Sequence, residues 1–140
     1  MSRLDLNIVR LKAQRACLDR AAELIRDVPG PVFELGLGNG RSYDHLREIL
    51  PGRDIFVFDR EVAAHPDCIP DAAHLFLGDF HDTLPEALKR FAGRLALIHA
   101  DIGSADRARD AHLAAFIAGH LPHLLCPGAV VAGDRDLGFA

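Results

Sequence analysis

The stretch Val32-Phe-Glu-Leu-Gly-Leu-Gly-Asn-Gly40 decides the fold that this sequence predicts. Its short apolar run follows Pro29-Gly30-Pro31 and ends in a glycine cluster, which is typical of a buried strand. Residues 41–50 then carry apolar side chains at helical spacing. The unit is therefore a strand, a glycine turn and a helix. Such a turn aims unpaired backbone N–H groups at a ligand, which glycines allow to come close.

Composition predicts one soluble globular domain over residues 1–140, because 49% of the side chains are hydrophobic and 26% are charged. No apolar run approaches the roughly 20 residues that span a bilayer, and the polar start has no signal-peptide layout, so we expect a cytoplasmic protein. The net charge of −4 argues against a nucleic-acid partner. Cys17, Cys68 and Cys126 are too dispersed for a disulfide framework or a zinc knuckle.

The first predicted element is a long helix over Leu4–Asp27. Its apolar stripe is interrupted by Arg15, where another apolar residue is expected. Two interpretations stay open for this side chain. Its guanidinium either extends to water along a buried stem or points into a ligand cleft beside the sheet.

The rest of the chain alternates strands and helices. Strands are predicted at residues 32–35, 54–59, 74–79, 94–101 and 129–132, and helices at 41–50, 83–91 and 106–121, with Asp82 as the N-cap of the second. Near-continuous apolar strands separated by helices predict a mainly parallel sheet covered on both faces. The fold class is α/β, three-layer and doubly wound. Ligands of such folds bind beyond the carboxyl ends of the strands.

The spacing of the glycines excludes two common nucleotide motifs. Counting from Gly36, the sixth position of a dinucleotide-binding G-x-G-x-x-G is occupied by Arg41. A P-loop fails as well, because no Gly-Lys-Ser/Thr follows. Glu34, two residues before the first glycine, suits a cationic ligand better than a pyrophosphate.

Glu34-Leu-Gly36-Leu-Gly38-Asn-Gly40 resembles the first motif of class I S-adenosylmethionine-dependent methyltransferases, which is an acid followed by three alternate glycines. Later features follow the order of that family: Asp59 closing the second strand, Gly78-Asp79-Phe80 after the third, His99-Ala-Asp101 closing the fourth, and Pro127-Gly128 before the fifth. The resemblance covers roughly residues 31 to 135. The chain is also similar to a small bacterial group of S-adenosylmethionine methyltransferases.

This resemblance implies a Rossmann-like fold that transfers a methyl group from S-adenosyl-L-methionine to a small-molecule acceptor. Gly36, Gly38 and Gly40 would let the turn, with Asn39, lie against the methionine end of the cofactor. Glu34 would lie near the ammonium group of the cofactor.

The remaining cofactor contacts that the resemblance implies come from the next two strands. Asp59 would accept hydrogen bonds from the ribose hydroxyls, because a carboxylate accepts from two donors. Asp79 would bind the adenine amino group, and the backbone of Phe80 a ring nitrogen. Arg60 and Tyr43 would complete the site, with Tyr43 closing one side.

The resemblance places Asp101 and His99 beside the methyl group and the acceptor. Methyl displacement needs alignment more than acid catalysis, so a general base is required only if the acceptor loses a proton. Asp101 or His99 is the predicted base, and Asp134 is a third candidate. No histidine spacing predicts a metal site.

Each assignment has a structural alternative. Asp79 could be only a turn residue, Asp59 only a strand-end acid, and His99 a structural histidine. The whole chain could instead be a non-catalytic cofactor-binding or regulatory domain, or another Rossmann-like enzyme that uses a nucleotide.

The family's sheet continues beyond the fifth strand, whereas here six residues follow Asp134. We therefore expect the last strands to be missing and the fifth strand to form an edge. Because exposed edges are usually covered, the sequence predicts a homo-oligomer through that edge or its flanking helices.

Overall fold

The computed structural model describes residues 1–104, 106–134 and 137. Within them the strands are β1 (Val32–Leu35), β2 (Ile55–Asp59), β3 (Leu75–Leu77), β4 (Leu95–Ala100) and β5 (Leu125–Gly133). The helices are α1 (Arg3–Leu24), α2 (Arg41–Ile49), α3 (Phe80–Phe91) and α4 (Arg107–Leu124). Short 3₁₀ turns at Pro66–Cys68 and Ala72–His74 connect β2 to β3.

The five strands form one parallel sheet in the order β3-β2-β1-β4-β5. Alternate side chains of β1 face opposite layers, as the pleat of a strand requires. Phe33 packs in the core under α3 and α4, whereas Val32 packs in the core under α1 and α2. Both side chains are fully buried. The predicted doubly wound α/β fold is therefore confirmed. The prediction that residues 1–140 are a single domain stays a prediction.

Four predicted element boundaries are wrong by three residues or more. α1 ends at Leu24 and not at Asp27, and α4 ends at Leu124 and not at residue 121. α3 begins at Phe80, because its N-cap is Asp79, whose side chain accepts from the backbone N–H of His81. The predicted N-cap, Asp82, lies inside the first turn. β5 begins at Leu125, directly after α4, and not at Ala129.

Helix α1 is buried only in its C-terminal half. Leu18 is 1% exposed and packs against the sheet, whereas Leu4 is 68% and Ile8 42% exposed. The Gln14 amide lies 3.4 Å from a carboxylate oxygen of Asp101, just past the end of β4. Because α1 runs antiparallel to the strands, the residues before Gln14 extend beyond the carboxyl edge of the sheet.

Arg15, which interrupts the α1 stripe, is exposed. This exposure favours a guanidinium that extends to water over one that points into a ligand cleft. Gln14, one residue earlier, makes the contact with the sheet edge instead.

Candidate functional site

A cavity of about 920 Å³ lies at the carboxyl edge of the sheet. Its walls come from the glycine turn, the ends of β2 and β4, and the first turns of α3 and α4. This is within the range of about 300–1,000 Å³ that is typical of ligand sites. The predicted cofactor residues that line it are Gly36, Gly38, Asn39, Asp59, Arg60, Asp79, Phe80 and Asp101.

Glycine serves different structural purposes at two positions of the turn. Gly36 has a φ of +96°, and a Cβ there would lie 2.4 Å from the carbonyl oxygen of Asp101, so only glycine lets β1 and β4 end this close together. Gly38 has a φ of +54°, and a Cβ added to it would meet no described atom within 4 Å. It is exposed and lines the cavity, which leaves open space over its backbone.

The acid that ends β2 organises the glycine turn. Asp59 Oδ2 accepts from the backbone N–H of Leu37 at 2.7 Å and of Gly38 at 3.3 Å. Its Oδ1 accepts from the N–H of Arg60 at 2.7 Å. The N–H groups that the sequence predicts to be free for a ligand are thus partly used within the protein. A carboxylate has about four acceptor positions, so about one remains for a ligand hydroxyl.

Asp79 combines the predicted site position with a structural role. Its Oδ1 accepts from the backbone N–H of His81 at 2.8 Å and lies 2.7 Å from the Nδ1 of the same residue. The hydrogen bond from the backbone of His81, followed by that from its ring, lowers the pKa of Asp79. Both contacts use one oxygen, and Oδ2 makes no hydrogen bond to any described residue.

Glu34 and His99 form a buried pair beneath α1 and α2. They face each other in the register of β1 and β4, with Glu34 Oε1 and His99 Nδ1 2.5 Å apart. Glu34 is 0% and His99 2% exposed, and neither lines the cavity. The other oxygen, Glu34 Oε2, has no hydrogen-bond partner within the described part of the chain.

Burial sets the protonation behaviour of this pair. Desolvation raises the pKa of Glu34, and the attraction of His99 and the nearby Ser42 hydroxyl only partly oppose it. Burial alone would lower the pKa of His99, but the Glu34 carboxylate, with Asp101 and Asp134 farther away, raises it overall. Both groups therefore hold protons to higher pH than they would in water.

The loop after β4 is anchored by two further acids. Buried Asp110 accepts from the backbone N–H and from the hydroxyl of Ser104, both at 2.6 Å. Asp134, the third predicted base, accepts from the N–H of Gly103 at 2.9 Å. Sequence reasoning missed Asp110, because a single aspartate in a predicted helix gives no signal of burial.

Sequence reasoning also missed part of the wall that α3 and α4 contribute. His81 and His112 both line the cavity, together with Arg109 from the start of α4. The ring of His81 packs 4.1 Å from that of Phe116, centroid to centroid. These contacts depend on the angle at which α3 and α4 cross. The residue pattern of either helix alone does not predict that angle.

Two predicted site residues lie elsewhere. Tyr43 is buried in the core under α1 and α2, and the Arg47 guanidinium lies 4.6 Å from its ring centroid. Gly40 begins α2, where a Cβ would lie 2.6 Å from the Cβ of Cys68. The structure thus brings neither residue to the cavity wall.

None of the helices within the described residues is long and apolar enough to cross a membrane. The described residues also contain no group of three or more His, Cys, Asp or Glu side chains arranged to hold a metal ion.

Two comparisons with known proteins gave matches. The sequence model of the family described as S-adenosyl-L-methionine methyltransferase matches residues 1–140. A crystal structure of an S-adenosyl-L-methionine methyl transferase from Silicibacter pomeroyi DSS-3 is similar, at 44% identity and a TM-score of 0.92. The alignment covers 100% of this chain and 86% of that one. No curated protein matches. The chain belongs to the S-adenosyl-L-methionine methyltransferase family, and as a methyltransferase it uses S-adenosyl-L-methionine as its cofactor.

Proposed function

We propose that this enzyme methylates a small molecule held at the carboxyl edge of its sheet. The observation that carries the proposal is the convergence of Asp59, Asp79 and Asp101, from the ends of three strands, on one cavity of about 920 Å³. A cofactor and a small acceptor both fit within a space at the upper end of the usual range for ligand sites.

The cofactor residues are proposed from the acceptor atoms that the cavity offers. Asp59 has about one acceptor position left after its three backbone contacts, which suits one ribose hydroxyl better than two. Asp79 has Oδ2 available for the adenine amino group, while Oδ1 stays with His81. Arg60, Phe80 and the turn at Gly38 also line this part of the cavity.

The Glu34 carboxylate also suits the positive charge of the cofactor. Glu34 Oε2 is a buried acceptor that makes no hydrogen bond of good geometry with the described residues, although the Ser42 hydroxyl near the carboxylate lowers the pKa of Glu34, so a further donor or a cation would stabilise it. An ammonium group nearby, directly or through water, would provide that compensation. We therefore retain Glu34 as a cofactor residue although it lies behind the cavity wall.

When bound, S-adenosyl-L-methionine supplies an electrophilic methyl group on a positively charged sulfur. The role of the protein is to orient the acceptor in line with the carbon–sulfur bond. Asp59, Asp79 and the turn at Gly38 would hold the cofactor, and the transfer would replace its carbon–sulfur bond by a bond from the methyl carbon to the acceptor atom, with the electron pair left on sulfur.

We propose Asp101 as the group that receives the acceptor's proton, where one must leave. Its side chain is exposed, lines the cavity and is contacted by the Gln14 amide. His99 is an unsuitable base, because its Nδ1 is engaged by Glu34 and its side chain is 2% exposed. Asp134 is occupied by the N–H of Gly103.

Calorimetry with S-adenosylmethionine and S-adenosylhomocysteine tests the cofactor assignment. Asp59→Ala should weaken binding at least about tenfold, the equivalent of about 1.4 kcal/mol. Asp27→Asn, an exposed acid beyond the other end of the sheet, is the matched control and should bind like the wild type. Unchanged affinity in Asp59→Ala would refute the assignment. Methyl transfer to a panel of small metabolites then tests the acceptor class.

We also propose that the chain forms a homo-oligomer through β5 and α1. A groove of about 550 Å³ runs between them, lined by Leu24, Val130 and Val131. Residues 1–15 hold four basic side chains and one acidic one, whereas the rest of the chain carries a net charge of −7. The exposed apolar start of α1 and its positive charge thus complement a second copy.

The alternative of a non-catalytic binding or regulatory domain has no support from the family or from the similar structure. The free thiols of Cys17, Cys68 and Cys126 are compatible with the cytoplasmic location that we propose from composition.

A further inference from the structure

The buried pair of Glu34 and His99 is a feature that the transfer of a methyl group does not itself require. The two side chains lie on neighbouring central strands and are 0% and 2% exposed. A buried ionisable group is costly to maintain unless it is paired. The second oxygen, Glu34 Oε2, makes no hydrogen bond of good geometry within the described residues, and the Ser42 hydroxyl near the carboxylate compensates its burial only in part.

We propose that His99 is a positioning residue for Glu34 and that this pair releases a proton when the cationic cofactor binds. The inference rests on the proposed role of Glu34 near the cofactor's ammonium group. It adds to that role His99 as the hydrogen-bond partner of Glu34, a charge state for the pair, and a proton release that can be measured.

The geometry gives His99 the means to orient Glu34. The 2.5 Å contact between His99 Nδ1 and Glu34 Oε1 fixes one carboxylate oxygen, so the position of Oε2 is determined as well. Rotation of the carboxylate is restricted, because both side chains are enclosed by the core under α1 and α2. Without a donor at residue 99, Glu34 would have two buried oxygens to satisfy.

The charged groups around His99 come from three strands. Glu34 on β1 is the nearest, Asp101 follows β4, and Asp134 follows β5. From the helices, α2 contributes the neutral Ser42 near Glu34, and α1 contributes the neutral Gln14 at Asp101. Acids therefore dominate this end of the sheet and favour a proton on the pair.

A cation arriving near Glu34 changes this balance. It stabilises the carboxylate and opposes a second positive charge on the imidazole, so the pKa of the pair falls. The proton leaves to the solvent, while Glu34 stays charged and His99 becomes neutral. The positive charge of the cofactor takes the place of the proton's charge.

Calorimetry in buffers with different ionisation enthalpies measures this proton. For the wild type, the heat of binding S-adenosylmethionine should depend on the buffer and give a release between zero and one proton, greatest at the pH where the free pair is still protonated. S-adenosylhomocysteine, which lacks the sulfonium charge, should release less. A buffer-independent heat for the wild type would overturn the inference.

Two variants separate positioning from a merely structural role. His99→Asn keeps an amide donor for Glu34 and removes the imidazole that titrates, so it should bind within about threefold of the wild type and release fewer protons than the wild type. His99→Leu removes the donor and should weaken binding at least about tenfold. If His99→Leu does not fold, Glu34→Gln is measured in its place. This variant should release fewer protons than the wild type when S-adenosylmethionine binds.

The outcomes also distinguish the inference from the function on which it rests. Binding heat with equal proton release in the wild type and His99→Asn would overturn the inference alone. No binding heat for either cofactor form would overturn the proposed cofactor site, and the inference with it.

Discussion

The backbone N–H of Leu37 donates to Asp59 Oδ2 across 2.7 Å, so the turn that follows β1 is held by the acid that ends β2. The same oxygen also accepts from Gly38. The residue proposed to bind the ribose therefore also shapes the loop that contacts the rest of the cofactor. Substitutions at Asp59 should affect both the fold and the binding.

Asp59→Ala should reduce the free energy of unfolding of the cofactor-free protein by about 1–3 kcal/mol, because backbone N–H groups in the turn lose a charged acceptor. Asp59→Asn keeps one acceptor oxygen and should lose less. Urea denaturation without cofactor measures both. Equal stability of Asp59→Ala and the wild type would mean that the contacts with Leu37 and Gly38 contribute nothing to the fold.

Gly36→Ala should destabilise the protein by more than about 1 kcal/mol. A left-handed φ of +96° is strained for alanine, and its Cβ would lie 2.4 Å from the Asp101 carbonyl oxygen. Gly52→Ala is the matched control, with a φ of +85° and no described atom within 4 Å of the added Cβ. The difference between the two variants isolates the close approach of β1 and β4. If both lose the same stability, only backbone strain matters.

The stability of the cofactor-free protein should fall as the pH rises above the unfolded pKa values of Glu34 and His99. The pKa of Glu34 is raised from 4.5 and that of His99 from 6.5, so the folded state binds protons more tightly than the unfolded state. The stabilisation by each group is complete below its unfolded value and is lost as the pH rises through its folded value. Glu34→Gln should flatten this decline.

Thermal unfolding from pH 5 to pH 9 measures the decline, with the wild type and Glu34→Gln in the same buffers. His74, whose pKa is raised by its hydrogen bond to Asp71, contributes in the same direction. It is present in both proteins, so it cancels in their difference. Parallel curves for the two proteins would contradict the assignment to the buried pair.

Ile8→Asp should convert the proposed oligomer to a monomer. Ile8 is 42% exposed on the part of α1 that extends beyond the sheet, so a charge there should disrupt an interface without unfolding the chain. Leu77→Asp is the control, because Leu77 is 58% exposed on β3, at the opposite edge. Light scattering at micromolar concentration gives the masses. A monomeric wild type would reject the oligomer.

The fold could be predicted because its signals are local. The glycine turn, the apolar strands and the acids at the strand ends each occupy a few consecutive residues, and the parallel sheet follows from their alternation with helices. The start of α3 was predicted three residues too late for a physical reason. Asp79 and Asp82 are both good N-caps, and the end of β3, which the short apolar run at residues 75–77 sets, decides for Asp79.

The candidate site was harder to predict, since it depends on which face of the sheet each side chain takes. His99 and Glu34 occupy paired positions and both point under α1 and α2, whereas the cavity is bounded by α3 and α4. Proximity to a strand end therefore did not bring His99 to the cavity. Gln14 and His112 reach the site or its edge only through helix placement, which the sequence does not encode locally.

The hydrogen bonds of Asp110 to Ser104 have a consequence for the thermodynamics of binding. An amide that donates to a buried carboxylate at 2.6 Å should exchange its hydrogen slowly, as amides of the core do. We therefore expect the wall of the cavity beside β4 to be ordered before any ligand arrives. A ligand that contacts this wall loses little affinity to the ordering of the loop. Its selectivity should come from shape more than from induced closure.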